Sequence, residues 1–194
     1  MYILYMKRTL ILALASILSV ISFAQSLDDP KYGAGQVPVE NGKVTFVRTI
    51  DFSEAGVDGN QAFINLSSWA KGHFVKPLVL SGKVTDRSGK IVISAEEYIT
   101  FKKTAFVTDR SRMGYLITLS FNETVCTMTV TDITYWYEEE RDGGSHFTAE
   151  DWITDSEAFS KSGKLLKTTG KFRIKTIDFV DGLEQEIKEA VAIK

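Results

Sequence analysis

The stretch MGYLITLSFNETVCTMTVTDITYWY, Met113–Tyr137, decides the fold. Met113–Phe121 and Cys126–Tyr137 are rich in β-branched and aromatic residues, the bias that a pleated, half-buried surface selects. Asn122-Glu123 between them reads as a turn, so the stretch is two consecutive strands of one antiparallel sheet. Working back, Leu78–Thr85 and Lys90–Phe101 flank Asp86-Arg87-Ser88-Gly89 and make a second hairpin, with Thr104–Thr108 as a short strand after it. Asp58 caps a helix running to about Lys71: Phe63, Leu66, Trp69 and Ala70 form its apolar stripe, Asn60, Gln61, Asn65 and Ser68 its wet side, and Gly72 its stop. Lys43–Thr49 is a first strand, entered through an Asn41-Gly42 turn. Ser26–Val39, with Pro30, Gly33, Gly35 and Pro38, reads as an extended lead-in.

Working forward, Gly143-Gly144 ends the ladder, and Thr148 with Asp151 resembles a capping box for a short helix containing Trp152. Ser160–Gly163 is a loop and Lys171–Phe179 reads as a last strand. Asp181 then opens a final helix, with Leu183, Ile187, Ala190 and Val191 inward and Glu184, Glu186 and Lys188 in water. The sum is an α+β domain, an antiparallel sheet with helices packed on one face.

Residues 1–24 carry Lys7 and Arg8, then an apolar run Thr9–Phe23, then Ser22-Phe23-Ala24 as a small-x-small cleavage site. This is the pattern of a secretory signal peptide, and cleavage near Ala24 implies a periplasmic or secreted protein. The chain then divides into the leader (1–24), an extended segment (25–42) and a single domain (43–194). No cysteine follows Ala24 to take a lipid, and no second apolar run is long enough to span a bilayer, so no stable membrane insertion of the mature chain is expected. Of 23 basic and 25 acidic residues, Lys7 and Arg8 leave with the leader, giving a net charge of −4. That balance argues against a binder of nucleic acid, which needs a concentrated basic face. The single cysteine, Cys126, has no internal partner and reads as a small hydrophobe in a strand.

Few places carry chemistry. Gly33-Ala34-Gly35 neither follows a strand nor opens a helix, so it is a bent segment rather than a phosphate loop. His73 and His146 stand in unrelated surroundings. Arg110-Ser111-Arg112 reads as a turn facing water, and Lys171-Phe172-Arg173-Ile174-Lys175 as a basic stripe along a strand. Glu138-Glu139-Glu140 with Asp142 lacks the alternating spacing of a calcium loop, so no metal and no cofactor are expected. Tyr135, Trp136 and Tyr137 are more informative. In a strand Tyr135 and Tyr137 face one way and Trp136 the other, so one face enters the core while the other displays rings beside carboxylates. That face either binds a partner or packs across strands. Trp152 plugs one end of the core.

The mature chain resembles DUF4468, a family of small exported Bacteroidetes proteins of unknown function with a TBP-like fold. The resemblance covers nearly all of Leu27–Val191. It rests on Lys31-Tyr32-Gly33-Ala34-Gly35, Asn41-Gly42-Lys43-Val44, Thr108-Asp109-Arg110-Ser111-Arg112-Met113 and Tyr135-Trp136-Tyr137-Glu138-Glu139. It continues through Arg141-Asp142-Gly143-Gly144, Phe147-Thr148-Ala149-Glu150-Asp151-Trp152-Ile153 and Gly170-Lys171-Phe172-Arg173. It implies a curved antiparallel sheet with helices on its convex face. The family name describes shape: DNA binding of the TATA-binding kind needs a basic surface with wedges. Two functions compete. The first is a non-enzymatic envelope binding or structural module that holds a protein, peptide or glycan through Tyr135, Trp136, Tyr137, Glu138, Glu139, Arg141, Asp142 and Trp152. The second is a small envelope hydrolase pairing Glu139 with Glu150 or Asp151, which requires two carboxyls roughly 5–9 Å apart in a concave site.

Overall fold

The structure, a computed structural model, describes residues 29–74, 79–87 and 89–192. The leader at 1–24 and the turn residue Ser88 lie outside the described residues. Val39–Glu40 (β1) and Lys43–Val44 (β2) form a small hairpin, whose turn residues Asn41 and Gly42 have φ of 51° and 78°. Both tolerate the left-handed backbone that this turn demands. Phe46–Asp51 (β3) is followed by a helix, Gly59–His73 (α1), whose cap is Asp58: its carboxylate accepts from the Gln61 N–H at 2.8 Å. Ala62, Leu66, Ser67 and Ala70 are its buried positions.

The main sheet adds Val79–Arg87 (β4), Lys90–Lys103 (β5), Thr108–Asn122 (β6), Val125–Tyr137 (β7) and Ser145–Thr148 (β8). Its strand order is β3-β7-β6-β5-β4, every pairing is antiparallel, and β8 pairs with β7. Thr104–Val107 is thus the turn between β5 and β6 rather than part of a separate strand. Arg110-Ser111-Arg112, expected as a turn, lies inside β6. Gly143-Gly144 does not end the ladder, because β8 returns along β7 beyond it.

Cys126, Met128 and Val130 of β7 point inward, and so do Ile133 and Tyr135. The change from even to odd positions is made by a bulge: Gly114 pairs with Thr134 but Leu116 pairs with Thr131, and Asp132 within the bulge has φ 51°. The inward face meets α1 and the C-terminal helix. Tyr115 packs on Phe179 with ring centroids 4.7 Å apart, Tyr135 on Phe172 at 5.1 Å, and Phe121 on Phe63 at 5.6 Å.

That C-terminal helix corrects the sequence reading. Lys167–Val191 (α3) is one continuous helix, with no strand over Lys171–Phe179 and no cap at Asp181. Alternation of basic and apolar residues over five positions imitates a strand. Its buried positions include Arg173, Ile177, Val180, Leu183, Ile187 and Ala190, which step by three and four, as a helix requires. Asp181 lies mid-helix and pairs with Arg48 at 3.1 Å and Lys31 at 3.1 Å. There is likewise no helix around Trp152. Ala149–Ile153 makes a single turn, closed by the Ile153 N–H on the Ala149 carbonyl at 2.9 Å, and the one-turn helix Asp155–Ala158 (α2) follows. The Thr148 hydroxyl and Asp151 carboxylate do pair, at 2.7 Å.

The lead-in is drawn into the domain. Pro30–Tyr32 forms a 3-10 turn capped by Asp29, and Tyr32 and Val37 are buried in the core. Arg173 is fully buried and donates to the carbonyls of Tyr32 (2.8 Å), Gly33 and Ile153 (2.7 Å). Its charge is met by Asp155 at 2.9 Å. The expected basic stripe therefore does not exist: Arg173 is a core residue, and Lys171 turns toward Asp109.

Candidate binding surface

The Tyr135-Trp136-Tyr137 segment divides between the two sheet faces as alternation requires. Tyr135 is buried, its hydroxyl 2.6 Å from that of Thr176. Burial raises its phenol pKa. Tyr137 is half-buried at the rim; its hydroxyl donates to Asp109 at 2.9 Å and accepts from the Lys171 ammonium at 2.8 Å. Lys171 also pairs with Asp109 at 2.8 Å, under the rings of Phe101 and Tyr137. Trp152 stacks on Phe147 with centroids 3.8 Å apart and meets Phe172 edge-on at 5.9 Å, the plug that the sequence suggested.

Trp136 alone turns to the outer face, where strand register builds a transverse row. Tyr98 pairs with Arg112, Arg112 with Trp136 and Trp136 with His146, across β5, β6, β7 and β8. The Trp136 ring lies between the His146 ring (4.9 Å, stacked) and the Arg112 guanidinium (4.5 Å). Its indole N–H donates to the Gly143 carbonyl at 2.8 Å. Gly144, at φ 71°, passes so close that a Cβ would lie 2.8 Å from that indole nitrogen and 2.6 Å from the Tyr137 carbonyl oxygen. The Gly-Gly pair is thereby fixed by the ring it carries. Glu139 joins the row from the 138–144 loop, pairing with Arg112 at 2.8 Å and accepting from the Tyr98 hydroxyl.

Beside the row is an open depression of about 400 Å³. Among the expected site residues, Trp136, Tyr137, Glu138, Glu139 and Arg141 line it, whereas Tyr135, Asp142 and Trp152 do not. Glu140 also lines it, and Tyr98, Lys102, Val107, Thr108, Asp109 and Arg110 complete the lining and were missed. Their signal was pairing register, which a single strand does not display. The three consecutive glutamates turn to three different arginines: Glu138 to Arg141 (3.1 Å), Glu139 to Arg112, and Glu140 to Arg110 (3.4 Å). Among the described residues no cluster of three His, Cys, Asp or Glu groups could hold a metal. Glu150 accepts from the Val44 N–H at 2.8 Å and Asp151 pairs with Thr148, so neither carboxylate lines the depression with Glu139. His73 lies elsewhere, 2.9 Å from Glu186, and burial pushes the Cys126 thiol up to about 12.

The family model of the domain of unknown function DUF4468, with TBP-like fold, matches residues 48–136, from the edge strand β3 to the outward tryptophan. Over residues 48–136 the chain is thus similar to the DUF4468 family. A crystal structure of a DUF4468 protein from Bacteroides ovatus superposes with a TM-score of 0.76 at 27% identity, covering 86% of this chain and 96% of that one. A TBP-like protein from Parabacteroides distasonis superposes with a TM-score of 0.65 at 22% identity, covering 80% and 96%. No curated protein matches the chain. The fold of this chain is a curved, open antiparallel sheet with helices packed on it, TBP-like as the family model and these neighbours are.

Proposed function

We propose that this protein is a non-enzymatic binding module of the cell envelope, and that the outer row Tyr98–Arg112–Trp136–His146 with its depression is the contact surface. The observation that carries the reading is the makeup of that row: aromatic rings held rigid by cations and carboxylates around an open, shallow hollow. Preorganised rings beside fixed charges suit the faces and polar edges of a peptide or glycan. The carboxylates there are already paired with arginines or with Lys171, an arrangement suited to positioning rather than proton transfer.

The test uses the chain from Gln25, immobilised and challenged by biolayer interferometry with peptides, peptidoglycan fragments and glycans from envelopes of its host. Trp136→Ala should weaken the selected ligand about tenfold or more, given the usual weight of a central aromatic contact. A Trp136→Ala protein that stays folded and binds like the parent overturns the site. Cleavage of any challenged material by the parent overturns the non-enzymatic reading.

A further inference from the structure

The β5–β6 hairpin overhangs its neighbours. Among the described residues, pairing of β4 with β5 reaches Glu97 and pairing of β7 with β6 reaches Ser111, while β5 and β6 stay paired as far as Lys103 and Thr108. At the tip, Phe106 is 97% exposed and Val107 57%, which sets this pair apart from the scattered single apolar residues elsewhere on the surface. The tip is not a slack loop. Thr104 donates its backbone N–H to the Val107 carbonyl at 2.8 Å, and its hydroxyl accepts from the N–H groups of Val107 (3.0 Å) and Phe106 (3.4 Å). The turn therefore holds two apolar side chains outward while satisfying their backbone amides, which is what entry into a poorly hydrated layer requires.

Charge chooses the layer. Asp109, Glu138, Glu139 and Glu140 are each matched by a cation, and Asp142 does not line the hollow. Lys102 and Lys103, exposed at the base of the tip, make no ion pair among the described residues, and Asp109, opposite Lys102 in register, is held by Lys171. The tip is thus an apolar wedge behind which two unneutralised ammonium groups stand, on a chain that is acidic as a whole.

We infer that the β5–β6 tip docks reversibly on an anionic lipid surface, with Phe106 and Val107 in the headgroup–acyl boundary and Lys102 and Lys103 against lipid phosphates. A wedge of two side chains is small for a stable protein interface, whereas a short apolar insertion plus basic residues gives weak, salt-sensitive membrane contact. Because Val107 and Lys102 also line the depression, docking would hold the hollow at the bilayer surface. This inference does not depend on what the hollow binds.

The experiment is flotation of the chain from Gln25, which contains every described element, with vesicles of phosphatidylethanolamine containing a quarter phosphatidylglycerol, and with pure phosphatidylcholine vesicles. Binding to the anionic vesicles alone, weakened by salt, is expected. Phe106→Ser should weaken it about tenfold and the double change Lys102→Gln with Lys103→Gln about 30-fold. Phe106→Trp should keep binding and shift its emission to the blue with vesicles. All these positions are exposed, and unchanged melting of each variant confirms that the fold is intact. Absence of flotation, or flotation unaffected by Phe106→Ser, overturns the proposal. A parent that sediments as a dimer while Phe106→Ser is monomeric, without lipid binding, assigns the tip to self-contact and overturns it as well.

Discussion

Arg173 shows how one residue can bind three segments of chain. Its guanidinium is buried beneath the carbonyls of Tyr32, Gly33 and Ile153, with Asp155 as its counter-charge and the Phe159 ring 4.9 Å away. Burial pulls its pKa below the ordinary arginine range, and Asp155 opposes that shift. Because Asp155 is 44% exposed, the pair itself is a modest source of stability; the cost arises when one side is removed. Arg173→Ala would orphan the buried carbonyls of Tyr32 and Ile153 and leave a cavity, so a loss of about 3–5 kcal/mol is expected in urea unfolding at neutral pH. Asp155→Asn should cost less than half of that. Equal losses for the two variants would show that the ion pair, rather than the carbonyl contacts, dominates. The sequence disclosed an arginine here but not its burial, since a charged residue between Phe172 and Ile174 looks equally natural on the wet side of a strand.

At the level of elements, the strands of the central hairpins and the helix after Asp58 were legible, because alternation, turn residues and caps act within a few positions. Two things were hidden. Helix α3 was masked by local alternation, although the spacing of Leu183, Ile187 and Ala190 extends back unbroken through Val180, Ile177 and Arg173. The outer face of the site was masked by the bulge at Asp132: alternation counted from Cys126 would carry Trp136 inward, and only the extra residue reverses it. The bulge therefore places the outer Tyr98–Arg112–Trp136–His146 row. Asp132 occupies left-handed backbone (φ 51°), and its ion pair with Lys43 is long (3.6 Å) and 60% exposed, so its side chain contributes little. Asp132→Gly should be neutral to within about 0.5 kcal/mol, whereas Asp132→Val should cost about 1–2 kcal/mol for strain at that backbone geometry. Thermal melts of the two variants read this directly, and a Val variant as stable as the Gly variant would mean that the bulge can shift register without cost.

At the level of the whole molecule, the domain begins earlier than composition suggests. The lead-in is polar and rich in Gly and Pro, yet Tyr32 and Val37 lie in the core. The Tyr32 hydroxyl donates to Asp178 at 2.8 Å, and Lys31 bridges Asp178 (2.7 Å) and Asp181 (3.1 Å) on α3. The Gly35 N–H donates to Asp155 at 2.7 Å, so the same carboxylate that faces Arg173 also fixes the bend. The Lys31–Gly35 motif is thus a structural strap over the C-terminal helix. A chain starting at Lys43 would lose the burial of Tyr32 and Val37 and leave Arg173 without two of its three carbonyl partners. Each large side chain is worth about 1.5–3 kcal/mol, and the orphaned charge about 3 kcal/mol or more. Their sum is comparable to the roughly 5–15 kcal/mol that holds a whole domain together. The Lys43–Lys194 chain should accordingly lack a cooperative melt, while Gln25–Lys194 unfolds in one transition by both circular dichroism and tryptophan fluorescence. A truncated chain melting within a few degrees of the longer one would mean that the strap only lies on the fold and does not complete it.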